Sequence, residues 1–362
     1  MNSQSITEGG TTEFLLRHPI ITEPETIVGG PLSRFSTVSV LLVCLVSACS
    51  DGVNDLRTYV LTTGTTGGTF YPVGVALSTL VSARGEEGFS LTAISSAGSM
   101  ENIKLLRDNQ AQFGLILGVF AAWAYDGVGP INTPQSHIRS ISAMWPNVEH
   151  FVLRSDLVID GTVSDLAKLE GERYSIGMRN SGAEHTGLYI FDALGIDYTE
   201  DLSIAYLGYE PSTNALQDGN IVGMNVPAGP PVTAIARAYA LLGEGMTILE
   251  FSEEEMTAIN QQYPLWDFYE LLPGTYPRQD KPVTTAYSSN VFVVRDDVLE
   301  EVVYNMTKLL WDNLATLQEI HSATKSMVIE AALKGIPVPL HKGALRYYRE
   351  KGVEIPEHLL GG

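Results

Sequence analysis

Gly64-Thr65-Thr66-Gly67-Gly68-Thr69-Phe70-Tyr71 is the stretch on which the fold turns. It follows the short apolar strand candidate Tyr59-Val60-Leu61 and opens the run from Pro72 to Val81, whose apolar positions suit a helix packed on a sheet. Strand, glycine turn and helix in that order make an α/β unit. Glycines let the backbone approach a ligand closely, and the first N–H groups of the helix, with its positive dipole end, favour an anion. A small anion seated on a helix N-terminus is therefore expected. The turn is not a nucleotide P-loop, because no Lys-Ser or Lys-Thr follows the second glycine at the required spacing, and it is not GxGxxG.

The same device recurs twice. Ser96-Ala97-Gly98-Ser99 follows the strand candidate Phe89 to Ile94 and precedes a helix starting near Met100. Asn180-Ser181-Gly182-Ala183-Glu184 follows Tyr174 to Met178 and precedes a helix through Gly187 to Phe191. Three small-residue helix starts predict one shared cleft. A repeat is also visible: the helix around Ile103 to Arg107 stops at Asp108-Asn109 before the strand Phe113 to Leu117, and Ser212 to Gln217 stops at Asp218-Gly219 before Ile221 to Val226. Ligands of open α/β sheets bind at strand ends, where Gly118 and Asn225 to Pro230 fall.

Strands alternate with helices from Tyr59 onwards, which predicts α/β layers on largely parallel sheets. Two extended segments, His150 to Arg154 and Thr284 to Arg295, are candidates for strands that cross between two lobes and form a hinge. Lobe 1 is expected to comprise 58–152 and 284–362, and lobe 2 residues 153–283, with the ligand cleft between them. A long helical region, Val298 to Ala332, should carry Val302, Val303, Met306, Leu309, Leu310, Leu314 and Leu317 on one face.

With 362 residues, 44% of them apolar and 18% charged, the chain has ample core for two lobes, and its apolar runs fall short of a membrane span. The net charge of -20 argues against nucleic-acid binding. Residues 1–48 read as a disordered leader followed by a lipoprotein-type signal: Arg34, the apolar segment Val38 to Val46, then Val46-Ser47-Ala48-Cys49. Cleavage there would leave Cys49 as a lipidated N-terminus, with 49–57 as a tether. A buried helix is the competing reading of the segment. Leader residues before the signal are explained by a start at Val28 or Leu32. Cys44 and Cys49 both lie in this segment, so the mature chain has neither a disulfide nor a cysteine metal site.

Ser181-x-x-Glu184 is a capping box, and Ser99 with Asn102 reads as a second cap. Either serine can also meet a carboxylate, and the Asn102 amide can donate and accept. Tyr71 either packs between helix and sheet or offers its phenol to a carboxylate, and Arg179 is either solvated or a carboxylate partner. HExxH and GxSxG are both absent from the sequence, so no catalytic constellation is read.

Taken together, Gly64-x-x-x-Gly67-Gly68-x-x-Tyr71, Gly98-Ser99-x-Glu101-Asn102, Ser181-Gly182, Gly229-Pro230-Pro231 and Leu340-His341-x-Gly343-Ala344 with Arg346-Tyr347-Tyr348 resemble the TAXI solute receptors of TRAP transporters. The resemblance spans nearly all of the chain after residue 58. It implies a two-lobed periplasmic-binding-protein-like fold of type II and a receptor, not an enzyme, that captures glutamate, glutamine or a related dicarboxylate for TRAP membrane subunits. Gly118-Val119-Phe120 stands where the family often has Asp, Ala183 where it has Thr, and Lys342 where it has Pro. The expected ligand-binding residues are Thr66, Gly67, Gly68, Thr69, Tyr71, Ser96, Gly98, Ser99, Asn102, Ser181, Gly182, Ala183, Glu184, Gly229 and Pro230. No cofactor or metal is expected. The receptor is expected to be a periplasmic monomer that contacts the membrane through the anchor at Cys49. The alternatives are a ligand sensor signalling to a membrane partner and a small-molecule enzyme.

Overall fold

In the computed structural model, which describes residues 57–84 and 88–361, the opening strand and helix are β1 (Arg57–Thr62) and α1 (Phe70–Arg84). The chain continues through β2 (Phe89–Ile94), α2 (Ser99–Arg107), β3 (Phe113–Leu117), α3 (Gly118–Asp126) and β4 (Ile138–Val148). Next come β5 (Phe151–Arg154), β6 (Glu172–Ser175), α4 (Gly182–Leu194), β7 (Leu202–Ala205), α5 (Tyr209–Gln217) and β8 (Gly223–Asn225). They are followed by α6 (Thr233–Leu242), β9 (Met246–Ile248), α7 (Glu253–Asn260) and β10 (Asp267–Leu271). The last elements are β11 (Val283–Arg295), α8 (Glu300–Asp312), α9 (Leu314–Ile320) and α10 (Lys342–Glu350). The described residues form one unit. The leader 1–48 and Cys49 lie outside the described residues, and Arg57, expected to end the tether, already belongs to β1.

Two sheets give the two-lobed α/β fold expected. One runs β10-β11-β3-β1-β2 with β4 also on β11, and the other runs β7-β6-β8-β5-β9. In each, three parallel strands are followed by an antiparallel one, β11 beside β3 and β5 beside β8. Leu61, Phe113, Leu115, Phe292 and Met306 fill the first core. Successive residues of β5 alternate between two clusters of the second lobe, Phe151 and Leu153 in one and Val152 in the other, as the period of a strand requires.

The internal repeat is real at the level of hydrogen bonds. Asp108 N donates to Lys104 O and Asp218 N to Asn214 O, both at 2.9 Å, and Gln110 N to Leu105 O and Asn220 N to Ala215 O follow at 2.8 Å. The turning residue is left-handed in each, Asn109 at φ 53° and Gly219 at φ 71°.

The structure departs from the sequence reading at two points. The helical region after Val298 is two helices and short 3-10 turns at Ser322–Ser326 and Ile329–Ala331. It breaks at Asn313, whose Nδ2 donates back to Leu309 O at 2.9 Å. The eleven-residue β4 has no counterpart in the sequence reading; its Pro146 sits opposite Ser289, beside a register shift between Ser289 and Val291. The chain changes sheet at Glu149 and His150, between β4 and β5. β11 stays in the first sheet throughout, while its early residue Ala286 packs with Phe151 and Phe251 of the second lobe.

Candidate functional site

Four helices begin around one cavity: α1 with Thr69 and Phe70, α2 with Gly98 and Ser99, α4 with Ser181, Gly182 and Ala183, and α5 with Gly208 and Tyr209. Gly64, Thr65, Gly68, Ala97, Leu117, Asn147, Met178, Pro227, Ala228 and Gly229 complete the lining. α1 and α2 belong with the first sheet, α4 and α5 with the second, so the cavity lies between the lobes. The sequence reading found three of these starts and missed Tyr209. The signal for the fourth was Gly208 followed by Pro211 in the first helical turn.

The side chains at the helix starts are held by local bonds. Ser181 caps α4, its Oγ accepting from Glu184 N at 3.0 Å. Glu184 closes the box one residue further back than expected, accepting from Asn180 N. Ser99 is not a cap: Gly98 holds that position, and Ser99 Oγ accepts from Leu117 N at 3.1 Å. Thr69 Oγ1 donates to Gly229 O at 2.8 Å, and Tyr209 Oη donates to Pro227 O at 2.8 Å. Burial, and then the charge of Glu149, push the Tyr209 phenol up, so it keeps its proton. Gly229 must be a glycine, since a Cβ there would stand 2.3 Å from Trp145 Cδ1. Asn147, on β4, is 2% exposed, and its Nδ2 has no hydrogen-bond partner.

Seven of the residues chosen from sequence do not line the cavity. Thr66 is exposed, and Gly67 abuts Glu210. Tyr71 is half-buried, and its neighbour Phe70 takes the place at the cavity, edge-on to Trp145. Asn102 is fully buried as a strut: Nδ2 donates to Thr63 O (2.6 Å) and Leu115 O (2.7 Å), while Oδ1 accepts from Thr62 Oγ1 and from Ser96 Oγ (both 2.6 Å). That network also takes Ser96 away from the cavity. Glu184 is occupied by its box, and Pro230 lies just beyond the lining residue Gly229. Arg179 stacks over the Tyr206 ring, 3.6 Å from its centroid, also outside the lining.

The junction between β4 and β5 holds two buried titratable groups. Glu149 Oε2 accepts from Asn225 Nδ2 at 3.0 Å, Oε1 has no partner, and burial pushes the carboxyl up from 4.5 to about 8. Burial lowers His150 from 6.5 to about 4, so its ring is neutral. Its Nδ1 lies 2.9 Å from Val226 O and its Nε2 2.7 Å from Tyr276 Oη, which fits an Nδ1–H donor and a phenol donating to Nε2. Tyr276 Oη in turn accepts from Val232 N at 3.3 Å. Both ends of the segment that carries Pro227, Ala228 and Gly229 to the cavity are thereby fixed to the β4–β5 junction.

Among solved structures, the chain is similar to MatC from Rhodopseudomonas palustris with bound malate, at 12% identity over 83% of this chain and 97% of that one, with a TM-score of 0.49. It is similar to the periplasmic binding protein BugD at 13% identity, over 82% and 98% of the two chains, with a TM-score of 0.49. It is also similar to the alkanesulfonate-binding protein SsuA from Xanthomonas axonopodis pv. citri bound to MOPS, at 12% identity over 84% and 96%, with a TM-score of 0.43. The model of the NMT1-like family matches residues 61–352, which take in most of the chain and all four helix starts at the cavity, and the chain belongs to that family.

Proposed function

We propose that this protein is an extracytoplasmic solute-binding receptor that captures a small carboxylate between its lobes and delivers it to a membrane permease. The observation that carries this reading is the convergence of four helix N-termini, drawn from both sheets, on one cavity whose described lining includes no charged side chain. A carboxylate leaving water needs several donors in place of its hydration, and oriented N–H groups with hydroxyls supply them. Because each sheet contributes half of the helix ends, the full set exists only with the lobes together. We assign the lobes to 58–152 with 284–362 and to 153–283, moving about the β4–β5 junction and β11.

Gly68, Thr69, Gly98, Ser99, Ser181, Gly182, Ala183 and Gly229 then form the ligand site, joined by Asn147 and Tyr209. The TAXI resemblance makes glutamate, glutamine or a related dicarboxylate the ligand class and TRAP subunits the partner, and the signal pattern Val46-Ser47-Ala48-Cys49 makes Cys49 the lipid anchor in the periplasm. The test is mass analysis of the ligand retained by the purified protein, with calorimetry. One small carboxylate, recovered unchanged after long incubation, is expected; turnover would make the protein an enzyme. Cys49→Ala should release it from the membrane fraction, and a mature chain still carrying residues 1–48 would overturn the anchor.

A further inference from the structure

Within the site just proposed, the polar groups are not balanced between donors and acceptors. The hydroxyls of Ser99 and Ser181 each accept one backbone N–H, from Leu117 and Glu184, and each keeps its O–H to donate to a ligand beside its second lone pair. Asn147 retains Nδ2, buried and without a partner. The carbonyls of Gly229 and Pro227, which could take protons from a cation, already accept from Thr69 and Tyr209. Among the described lining residues none carries a carboxylate. The acids in the first turns of α2, α4 and α5 are turned to partners of their own: Glu101 to Ala97 N (2.6 Å), Glu184 to Asn180 N, and Glu210 to Arg237 Nη1 (2.8 Å).

An ammonium group brings three N–H donors and no acceptor, and buried here it would meet the unpartnered Asn147 Nδ2 and no carboxylate among the described lining residues. A carboxylate or an oxo oxygen brings only lone pairs. We infer that the ligand is a small acid without an ammonium group, an oxo acid or plain dicarboxylate and not an amino acid, and that Asn147 Nδ2 holds its second acceptor while the helix ends hold the carboxylate. The inference rests on the receptor reading above and narrows the ligand class within it. It makes Asn147 a specificity residue on a strand, apart from the glycine turns that announce the site.

Calorimetry on the full chain with two matched pairs tests this: 2-oxoglutarate against L-glutamate, and succinate against L-aspartate. In each pair the acid lacking the ammonium should bind at least tenfold tighter. Asn147→Asp keeps the shape but replaces the donor by an acceptor, and should weaken the tighter member of each pair at least tenfold; thermal melting reports whether the variant is folded, and the wild-type comparison needs no variant. Amino acids binding as tightly as their partners would overturn the inference and leave the receptor standing. If none of the four binds and no carboxylate is retained on purification, both fall together. Unchanged affinity in folded Asn147→Asp would remove Asn147 from the site.

Discussion

Gly182, in the first turn of α4, lies against Ser99, in the first turn of α2: a Cβ on Gly182 would stand 3.1 Å from Ser99 Oγ and 3.1 Å from Leu117 Cδ1. The two helices pack with different sheets, so the lobes touch at a position where even a methyl group would make its neighbours give by a few tenths of an ångström. Such an approach brings two positive helix ends together, which becomes favourable when an anion lies between them.

Gly182→Ala should therefore act on closure and not on folding. The position is helical, where alanine is favoured over glycine by about 1 kcal/mol. In the parted form the methyl group meets nothing from α2. Calorimetry should show ligand affinity reduced at least tenfold, while the thermal midpoint of the ligand-free protein holds or rises. A fall in that midpoint would show that the contact belongs to the core of one lobe.

Thr69→Val removes the 2.8 Å bond to Gly229 O, between the start of α1 and the segment after β8, at nearly constant volume. The loss is about 1 kcal/mol for a neutral hydrogen bond, or roughly fivefold in the balance between closed and open forms. Small-angle scattering should show a more open ligand-free protein, with affinity down by a similar factor. Unaltered profiles would leave this bond without a part in closure.

Asn102→Ala and Tyr71→Phe should separate strut from site. The first deletes all four hydrogen bonds of a fully buried amide and should cost roughly 2–5 kcal/mol of stability, with several degrees off the thermal midpoint. The second alters a side chain outside the lining and should leave affinity within error of wild type. Ser181→Ala should do both things at once, losing about 1 kcal/mol with the cap and a donor to the ligand. Tight binding lost in Tyr71→Phe would return the phenol to the cavity.

The β4–β5 junction carries a pH signature with opposing parts. Because burial raises Glu149 from 4.5 to about 8, the folded chain keeps a proton that the unfolded chain releases. The stability from this group is fully present below the unfolded value and is lost as pH rises through about 8. His150, lowered from 6.5 to about 4, contributes stability present above 6.5 and lost as pH falls through about 4. Glu149→Gln keeps an acceptor for Asn225 and removes only the first slope. Its thermal midpoint should hold between about pH 6.5 and 9, where wild type declines; parallel curves would show that Glu149 does not titrate in that window.

Read by itself, the sequence determined the parts that local chemistry dictates. Glycine turns after short apolar runs located β1, β2 and β6 and the helices behind them, Ser181 announced its cap, and the Asp108 and Asp218 stops exposed the repeat, because each of these depends on residues within one turn of chain. Tertiary structure alone decided what those parts face. Asn102 and Ser96 have the chemistry of a ligand site, yet Thr62, Thr63 and Leu115 claim them from the neighbouring strands. Phe70, not Tyr71, lines the cavity because helix phase sets which of two adjacent aromatics turns inward. Asn147 carries no motif; it lines the cavity because β4, despite Pro146, pairs with β11 and brings an amide whose buried Nδ2 has no partner between four helix ends that lie far apart along the chain.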